Sequence, residues 1–274
     1  MTAIGVIARL EFSTATRQRW IRIFAAAFAL LSIGMAYSVG AAREAGGAEG
    51  FARTTVALVP LVLVLVPMAA LLLGVSGHAG DAGSEAFLFT QPVTRREVLV
   101  GRWAGQFAAL AGSIAAGFGA GATLLAFLAG PDGVLRYLFF LAATVVLAGV
   151  FLSLGAAIGS GVASRATGLG VAAFVWFFFV LLFDAVALTL AGWAPGQAGA
   201  RVLFVSVFGN PADLVRVLIL SVSGTPHVLG AAGESWFRLL GGGVPAGLLS
   251  AVALVLWVAA PLEAARRLLA RRDL

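Results

Sequence analysis

The stretch VALVPLVLVLVPMAALLLGV, residues 56–75, contains twenty residues and not one charged side chain. Twenty apolar residues in an α-helix are enough to cross the hydrocarbon core of a bilayer, which is about 30 Å thick. Similar runs recur along the chain, in which 61% of the residues are hydrophobic and only 11% are charged. A water-soluble fold of 274 residues could not bury so much apolar surface. The sequence therefore predicts a single membrane domain over residues 1–274.

The apolar runs predict an all-α, polytopic membrane protein with six transmembrane helices. All 18 basic residues are Arg, and the predicted loops place twelve of them on one side and six on the other. Arg concentrates in cytoplasmic loops, so both termini are expected in the cytoplasm and the chain in a bacterial inner membrane. Basic residues beside apolar spans favour contact with membrane lipid over nucleic acid. The predicted spans are residues 21–42, 56–75, 104–129, 135–158, 169–191 and 244–264.

A short amphipathic helix is predicted ahead of the first span, at about residues 4–20. Ile4, Ile7 and Ala8 recur at helical spacing, and Glu11 interrupts their stripe. A helix of this kind is expected to lie at the cytoplasmic interface of the membrane.

The long outer loop, about residues 192–243, is predicted to contain a second short helix. Asn210 suits its N-cap, Pro211 its first position and Asp213 its first turn. Such a helix is too short to cross a bilayer, so it is expected on the outer surface. There, Asn210, Asp213 and Arg216 are predicted to contact a periplasmic partner.

The cytoplasmic segment of about residues 77–103 contains the signature of a helix start. Thr94 and Glu97 fit a capping box directly before a long apolar run. The helix from Arg95 would extend for about 50 Å, so its first turns should project beyond the membrane into the cytoplasm.

Three glycine pairs at four-residue spacing predict close contacts between helices. They are Gly101 with Gly105, Gly117 with Gly121, and Gly155 with Gly159.

The chemistry of the side chains excludes several activities. A phosphate-binding P-loop needs a lysine, and the chain has none. It has no Cys, and its two His residues fall on opposite sides of the predicted membrane, so neither a metal site nor a catalytic site is expected. Asp184 is the one carboxylate in the interior of a predicted span, since Glu263 lies at the very end of the last one. Asp184 is either a hinge, gating or proton site, or a residue near the outer interface satisfied by water or by an Arg.

The string SEAFLFTQPVTRREVLVGRW, residues 84–103, resembles the signature of ABC-2 type permeases. In that signature an acid and small residues precede an apolar patch, a Pro, an Arg and a Gly-Lys pair. This sequence has Arg102 where Lys is common, and Ser84 with Glu85 where Gly-Thr is frequent. The resemblance implies an ABC-2 (type V exporter-like) fold, a homodimer and two cytoplasmic ATPase subunits. The ATPase subunits would bind ATP and Mg, and this chain would bind no cofactor itself. The residues that would couple to the ATPase are Ser84, Glu85, Phe87, Leu88, Phe89, Thr94, Arg95 and Glu97.

Further stretches are similar to the permeases of ABC transporters that serve nitrous oxide reductase maturation. They are IARLEF with RQRW, VWFFFVLLFDAV, NPADLVRVLIL and the Arg-rich end of the chain. This resemblance implies a periplasmic β-helical partner that works on copper-site assembly. Two other functions stay open: an ABC-2 permease that exports a lipid, drug or sulfur compound, and a proton-coupled secondary transporter that uses Asp184.

Overall fold

The computed structural model describes residues 2–41, 47–79, 93–194, 197–223 and 243–271. Every regular element in these ranges is helical. The elements are α1 (Ala3–Arg17), α2 (Arg19–Ala41), α3 (Gly47–His78), α4 (Arg95–Ala129), α5 (Val134–Gly161), α6 (Arg165–Phe177), a π-helical turn (Phe178–Leu182), α7 (Phe183–Trp193), α8 (Gln197–Gly209), α9 (Pro211–Ser223) and α10 (Gly243–Ala270).

Six helical segments in the described part are long and apolar enough to cross a membrane. They are α2, α3, α4, α5, α10 and the fifth span, which consists of α6, the π-helical turn and α7. The predicted all-α fold with six spans is therefore confirmed. Three of the helices begin before their apolar runs, each at an arginine: Arg19 starts α2, Arg95 starts α4 and Arg165 starts α6.

Both ends of the chain lie on one face of the bundle, which we call the terminal face. Helix α1 packs on the first turns of α4, and the end of α10 is bonded to Arg95 at the start of α4. The ends of α3 and α5 and the start of α6 lie on the same face. The far face contains the turn between α4 and α5, where Gly130 and Gly133 have φ angles of 92° and 103°, a region that favours glycine.

Helices α3 and α5 form the centre of the bundle and approach each other closely. A Cβ placed on Gly74 would lie 2.9 Å from the Cα of Gly155, and one on Gly155 would lie 2.6 Å from the carbonyl oxygen of Leu71. Small residues permit this approach in the membrane, where packing rather than water exclusion holds helices together. A Cβ on Gly159 would similarly lie 2.9 Å from the amide nitrogen of Ala79.

The other two predicted glycine pairs form a seam along α4. Gly101 and Gly105 face α1, whereas Gly117 and Gly121 face α2. A Cβ at Gly117 would lie 2.7 Å from the ring of Phe28, and one at Gly121 would lie 3.0 Å from the carbonyl oxygen of Ser32. All three glycine pairs are therefore packing contacts, as predicted.

Helices α8 and α9 meet at an angle of 100°, and a bend of this kind is either a break within one span or a re-entrant hairpin. The fifth span has 29 residues and α10 has 28, so each runs about 42 Å from the terminal face. Helix α7 therefore ends at the far face and α10 begins at the same face, which favours a re-entrant α8–α9 hairpin over an additional crossing. The bend of the hairpin lies inside the bundle, because Asn210 bonds to the carbonyl of Phe179 and Trp257 bonds to the carbonyl of Phe208.

The hairpin differs from the predicted helix on the outer surface. In α9, Leu214 and Val215 are fully buried against the bundle, and α9 packs on α3, α5 and α10. A buried helix start at membrane depth is tolerated when its backbone groups are bonded within the protein. Asn210 supplies that bonding, so α9 can enter the bundle instead of remaining at the surface.

Candidate coupling site and membrane-buried charge cluster

The first turn of α4 contains the capping box predicted from the sequence. Thr94 Oγ1 accepts a hydrogen bond from the Glu97 N–H at 3.2 Å, and Glu97 Oε2 accepts one from the Thr94 N–H at 2.8 Å. Both bonds satisfy donors that a helix start otherwise leaves open. The box fixes the first residue of α4 close to Val93, where the described chain resumes after residues 80–92.

Arg95 joins the start of α4 to the end of α10. Its Nη1 donates to the carbonyl oxygens of Leu269 at 2.7 Å and Ala270 at 3.2 Å. The last carbonyls of a helix have no partner within the helix, and a basic side chain can satisfy them. The two helix ends are therefore connected by a charged hydrogen-bond donor.

The end of α3 is bonded in the same way by two further arginines. Arg102 Nη1, from the second turn of α4, donates to the carbonyl oxygen of Gly77 at 3.1 Å. Arg165 Nη2, at the start of α6, donates to Ser76 Oγ at 3.0 Å. The last turn of α3 is therefore attached to both α4 and α6.

Helix α1 lies against α4 through glycine contacts and one polar contact. A Cβ on Gly101 would lie 2.8 Å from the side chain of Ile7, and one on Gly105 would lie 2.8 Å from the Cβ of Glu11. Gln106 Nε2 donates to Glu11 Oε1 at 3.1 Å. Burial raises the pKa of Glu11, and the nearby Arg102 and the bond from Gln106 act in the opposite direction.

The contact between α1 and α4 changes the expected role of the apolar stripe in α1. The stripe of Ile4, Ile7 and Ala8 was expected to face the membrane interface. In the structure it faces α4, and Glu11 belongs to the same face because its Oε1 accepts a hydrogen bond from Gln106 of α4. The face that α1 turns outward contains the exposed side chains of Val6 and Leu10.

We refer to Arg95, Gly101, Arg102, Gly105 and Gln106 as the α4 hub. These residues connect α4 to α1, to the end of α3 and to the end of α10. Both ends of the interval 80–92 lie beside the hub. Gly77, shortly before the interval, accepts a hydrogen bond from Arg102, and Thr94, shortly after it, caps α4. Five of the predicted coupling residues lie outside the described residues, namely Ser84, Glu85, Phe87, Leu88 and Phe89. The other three, Thr94, Arg95 and Glu97, lie at the start of α4.

A second polar cluster connects the fifth span to α9. Arg216 Nη1 lies 3.1 Å from Asp184 Oδ2 and 3.0 Å from Asp213 Oδ1. The Asp213 side chain is only 8% exposed, whereas that of Asp184 is 44% exposed. Two carboxylates therefore share one guanidinium, and one of them is buried. Asp184 lies about 29 Å along the fifth span from Arg165, so the cluster is near the far boundary of the hydrocarbon.

Asn210 supports this cluster from the start of α9. Its Oδ1 accepts from the Ala212 N–H at 3.0 Å, as expected of an N-cap. Its Nδ2 donates to Asp213 Oδ2 at 2.9 Å and to the carbonyl oxygen of Phe179 at 3.0 Å. Phe179 belongs to the π-helical turn, which ends two residues before Asp184. Such turns occur frequently at functional sites.

The structure brings together residues that the sequence had placed in separate roles. Asp184 was predicted as an intramembrane polar residue, and Asn210, Asp213 and Arg216 as contacts to a partner. All four lie in one cluster, in which Arg216 is the partner of Asp184. Asn210 and Asp213 are buried by the chain itself.

Sequence reasoning missed the roles of Arg102, Gln106 and Glu11. Their signal was weak: Glu11 appeared only as a defect in an apolar stripe, and Arg102 only as a signature position where Lys is common. Finding the contact requires the partner helix, because Gln106 and Glu11 are far apart in the sequence.

In the ranges that the structure describes, no group of three or more His, Cys, Asp or Glu side chains could hold a metal ion. The expected absence of a metal or catalytic site in the whole chain stays a prediction.

Six helices of the described ranges are long and apolar enough to cross a membrane, and their ends are joined by a hub on one face, which defines an integral membrane protein. The model of the ABC-2 family transporter proteins matches residues 6–274, and the chain belongs to that family. The family resemblance of the sequence is therefore confirmed.

Two curated relatives have the same name, probable ABC transporter permease protein NosY. The protein from Pseudomonas aeruginosa is 32% identical, and the match covers 100% of both chains. The protein from Stutzerimonas stutzeri is 33% identical over 81% of this chain and 82% of its own. The chain is accordingly an ABC transporter permease subunit.

Proposed function

We propose that this permease couples ATP hydrolysis by a cytoplasmic ATPase to a periplasmic partner in copper-site maturation of nitrous oxide reductase. The full-length similarity to two permeases named NosY supports this function. In this proposal the subunit is a homodimer in the bacterial inner membrane, with both termini in the cytoplasm. Two copies of the ATPase bind ATP and Mg, and the permease itself holds no cofactor.

The observation on which the proposal rests is the α4 hub. One short stretch of α4 holds α1 and the ends of α3 and α10, and the interval 80–92 begins and ends beside it. An ATPase bound to residues 84–89 would therefore act on all four helices together. This arrangement suits a subunit that receives movement from outside the membrane rather than one that binds a nucleotide.

Helix α4 offers a direct route for this movement across the membrane. It has 35 residues and is therefore about 52 Å long, which exceeds the hydrocarbon core. Its glycine seam keeps α1 and α2 in close contact with it from Gly101 to Gly121, over about 30 Å. A displacement of its first turn would consequently reach the far face through packed backbone.

That Asn210, Asp213 and Arg216 contact a periplasmic partner stays a prediction, and such a contact requires a movement of α9. Asn210 is 1% exposed and Asp213 is 6% exposed, so a partner could reach them only after α9 moves. Arg216 is half-buried and is the most accessible of the three.

The alternatives make different predictions about the ATPase. A permease that exports a lipid, drug or sulfur compound would also require it. A proton-coupled transporter that uses Asp184 would work without the ATPase, and in the structure Asp184 is paired with Arg216.

The proposal can be tested by placing a charge in the apolar patch of residues 87–89, within the predicted coupling segment of about residues 77–103. Phe87→Asp should abolish co-purification of the permease with its co-expressed ATPase. Phe87→Leu is the matched control, since it keeps an apolar side chain at the same position. Retention of the ATPase by Phe87→Asp, at equal permease levels, would show that the coupling site is elsewhere.

A further inference from the structure

We propose that Arg216 forms a charge lock between the α8–α9 hairpin and the fifth span, and that the lock opens when Arg216 releases Asp184 but keeps Asp213. The charge lock consists of Asp184, Asp213 and Arg216. The ion pairs of the charge lock do not depend on the proposed function, whereas a role of their opening in contacting the periplasmic partner rests on that function.

The two carboxylates of the charge lock are not equivalent. Asp213 precedes Arg216 by three residues on α9, so the two move together whenever α9 moves. Asp184 belongs to the fifth span and is separated from Arg216 by any shift between α9 and that span. The bond between Asp184 and Arg216 is therefore the one that holds two elements together.

Opening the charge lock leaves neither helix with a buried, unpaired cation. Breaking a buried ion pair is normally expensive because it leaves a charge without compensation. Here Arg216 retains Asp213 at 3.0 Å, and the released Asp184 is 44% exposed before any movement. Because Asp213 keeps Arg216 paired, breaking the bond between Arg216 and Asp184 costs less free energy than breaking an isolated buried ion pair.

The π-helical turn supplies a hinge next to the charge lock. Two contacts from α9 lie on either side of its end: Asn210 bonds to the Phe179 carbonyl, and Arg216 bonds to Asp184. A π-helical turn contains one residue more per turn than an α-helix. Its conversion to α-helix would rotate Asp184 by about 100° relative to Phe179, which would separate it from Arg216.

The charge lock predicts an unusual order of stabilities in a cycle of neutral substitutions. Arg216→Met leaves two adjacent carboxylates with no cation, so it should lower the melting temperature of the permease in nanodiscs more than Asp184→Asn does. The double variant Asp184→Asn/Arg216→Met should melt at a higher temperature than Arg216→Met alone. Arg201→Met, an exposed arginine on α8, is the control and should melt like the wild type.

Opening can be measured separately because the chain has no native cysteine. Spin labels at Phe174→Cys in α6 and Val205→Cys in α8 would occupy positions that are 66% and 63% exposed. In the Asp184→Asn background the distance distribution should gain a second population that the parent protein lacks.

Two results would overturn the charge lock: simple additivity of Asp184→Asn and Arg216→Met, or identical distance distributions with and without Asp184→Asn. Both measurements use the permease alone, so neither depends on binding of an ATPase. A failure of the charge lock is therefore distinguishable from a failure of the proposed function, which the Phe87→Asp experiment detects.

Discussion

Arg95 and Leu269 lie 174 positions apart in the sequence and are joined by a hydrogen bond of 2.7 Å at the terminal face. The bond connects the first residue of α4 to the last turn of α10. Since α10 packs along α5, a shift of α4 would also reach the centre of the bundle. The charged side chain therefore matters for how the helices move together and not only for topology.

Replacing Arg95 should separate these two effects. Arg95→Ala removes the donor to two carbonyls at a partly exposed site, and we expect a loss of about 1–2 kcal/mol in unfolding free energy. Stimulation of the partner ATPase by the permease should fall as well. Arg96→Ala is the control, because Arg96 is adjacent, exposed and equally charged. Equal effects of the two substitutions in thermal unfolding and ATPase assays would contradict a specific role of Arg95.

The close packing of α1 on α4 can be tested by substituting two glycines of α4. A Cβ at Gly105 would meet the carbonyl oxygen of Ala8 and the Cβ of Glu11, whereas one at Gly112 would meet nothing within 4 Å. Gly105→Ala should displace α1 and increase hydrogen exchange of its backbone amides. Gly112→Ala should leave that exchange unchanged and raise stability slightly, since Ala is the better helix former. Unchanged protection of α1 in Gly105→Ala would show that the contact is not tight.

The half-buried Glu11 predicts a pH dependence of stability. Because burial raises the pKa of Glu11, the folded protein binds its proton more tightly than the unfolded chain does. In the window between the ordinary pKa of 4.5 and the raised one, stability should therefore fall as pH rises. Glu11→Gln keeps an acceptor for Gln106 and removes the charge.

The Glu11→Gln variant should consequently melt at a higher temperature than the wild type above this window, and its profile through the window should be flatter. Melting temperatures from pH 4 to pH 8 would measure both effects. Parallel profiles of the two proteins would mean that Glu11 titrates like a solvent-exposed glutamate.

The sequence predicted the parts of this fold that depend on local pattern. Six apolar runs, the capping box of Thr94 and Glu97, and the glycine pairs each have a physical signature within a few neighbouring residues. The N-cap at Asn210 was predicted for the same reason, and the structure contains it.

What the sequence did not predict depends on contacts between distant elements. The helix after Asn210 looked like a surface helix because its length cannot cross a bilayer. Its burial follows from a fit to α3, α5 and α10 that one helix cannot reveal. Likewise, the sequence left open whether water or an Arg satisfies Asp184, and it could not indicate that the partner is Arg216, 32 positions away.

The orientation of the bundle can be decided by labelling single cysteines from outside the cell. The chain has no cysteine, so Thr2→Cys, Asp132→Cys and Arg271→Cys would each provide one target for an impermeant thiol reagent. All three positions are exposed. Six crossings place Thr2 and Arg271 on the terminal face and Asp132 on the far face.

The arginine asymmetry predicts that the terminal face is cytoplasmic. In cells with a permeabilised outer membrane, only Asp132→Cys should therefore be labelled, and lysis should expose the other two. Labelling of Thr2→Cys and Arg271→Cys alone would invert the orientation and remove the coupling segment from the reach of a cytoplasmic ATPase. Labelling of just one of these two would place the ends on opposite sides, which would make the α8–α9 hairpin a seventh crossing instead of a re-entrant one.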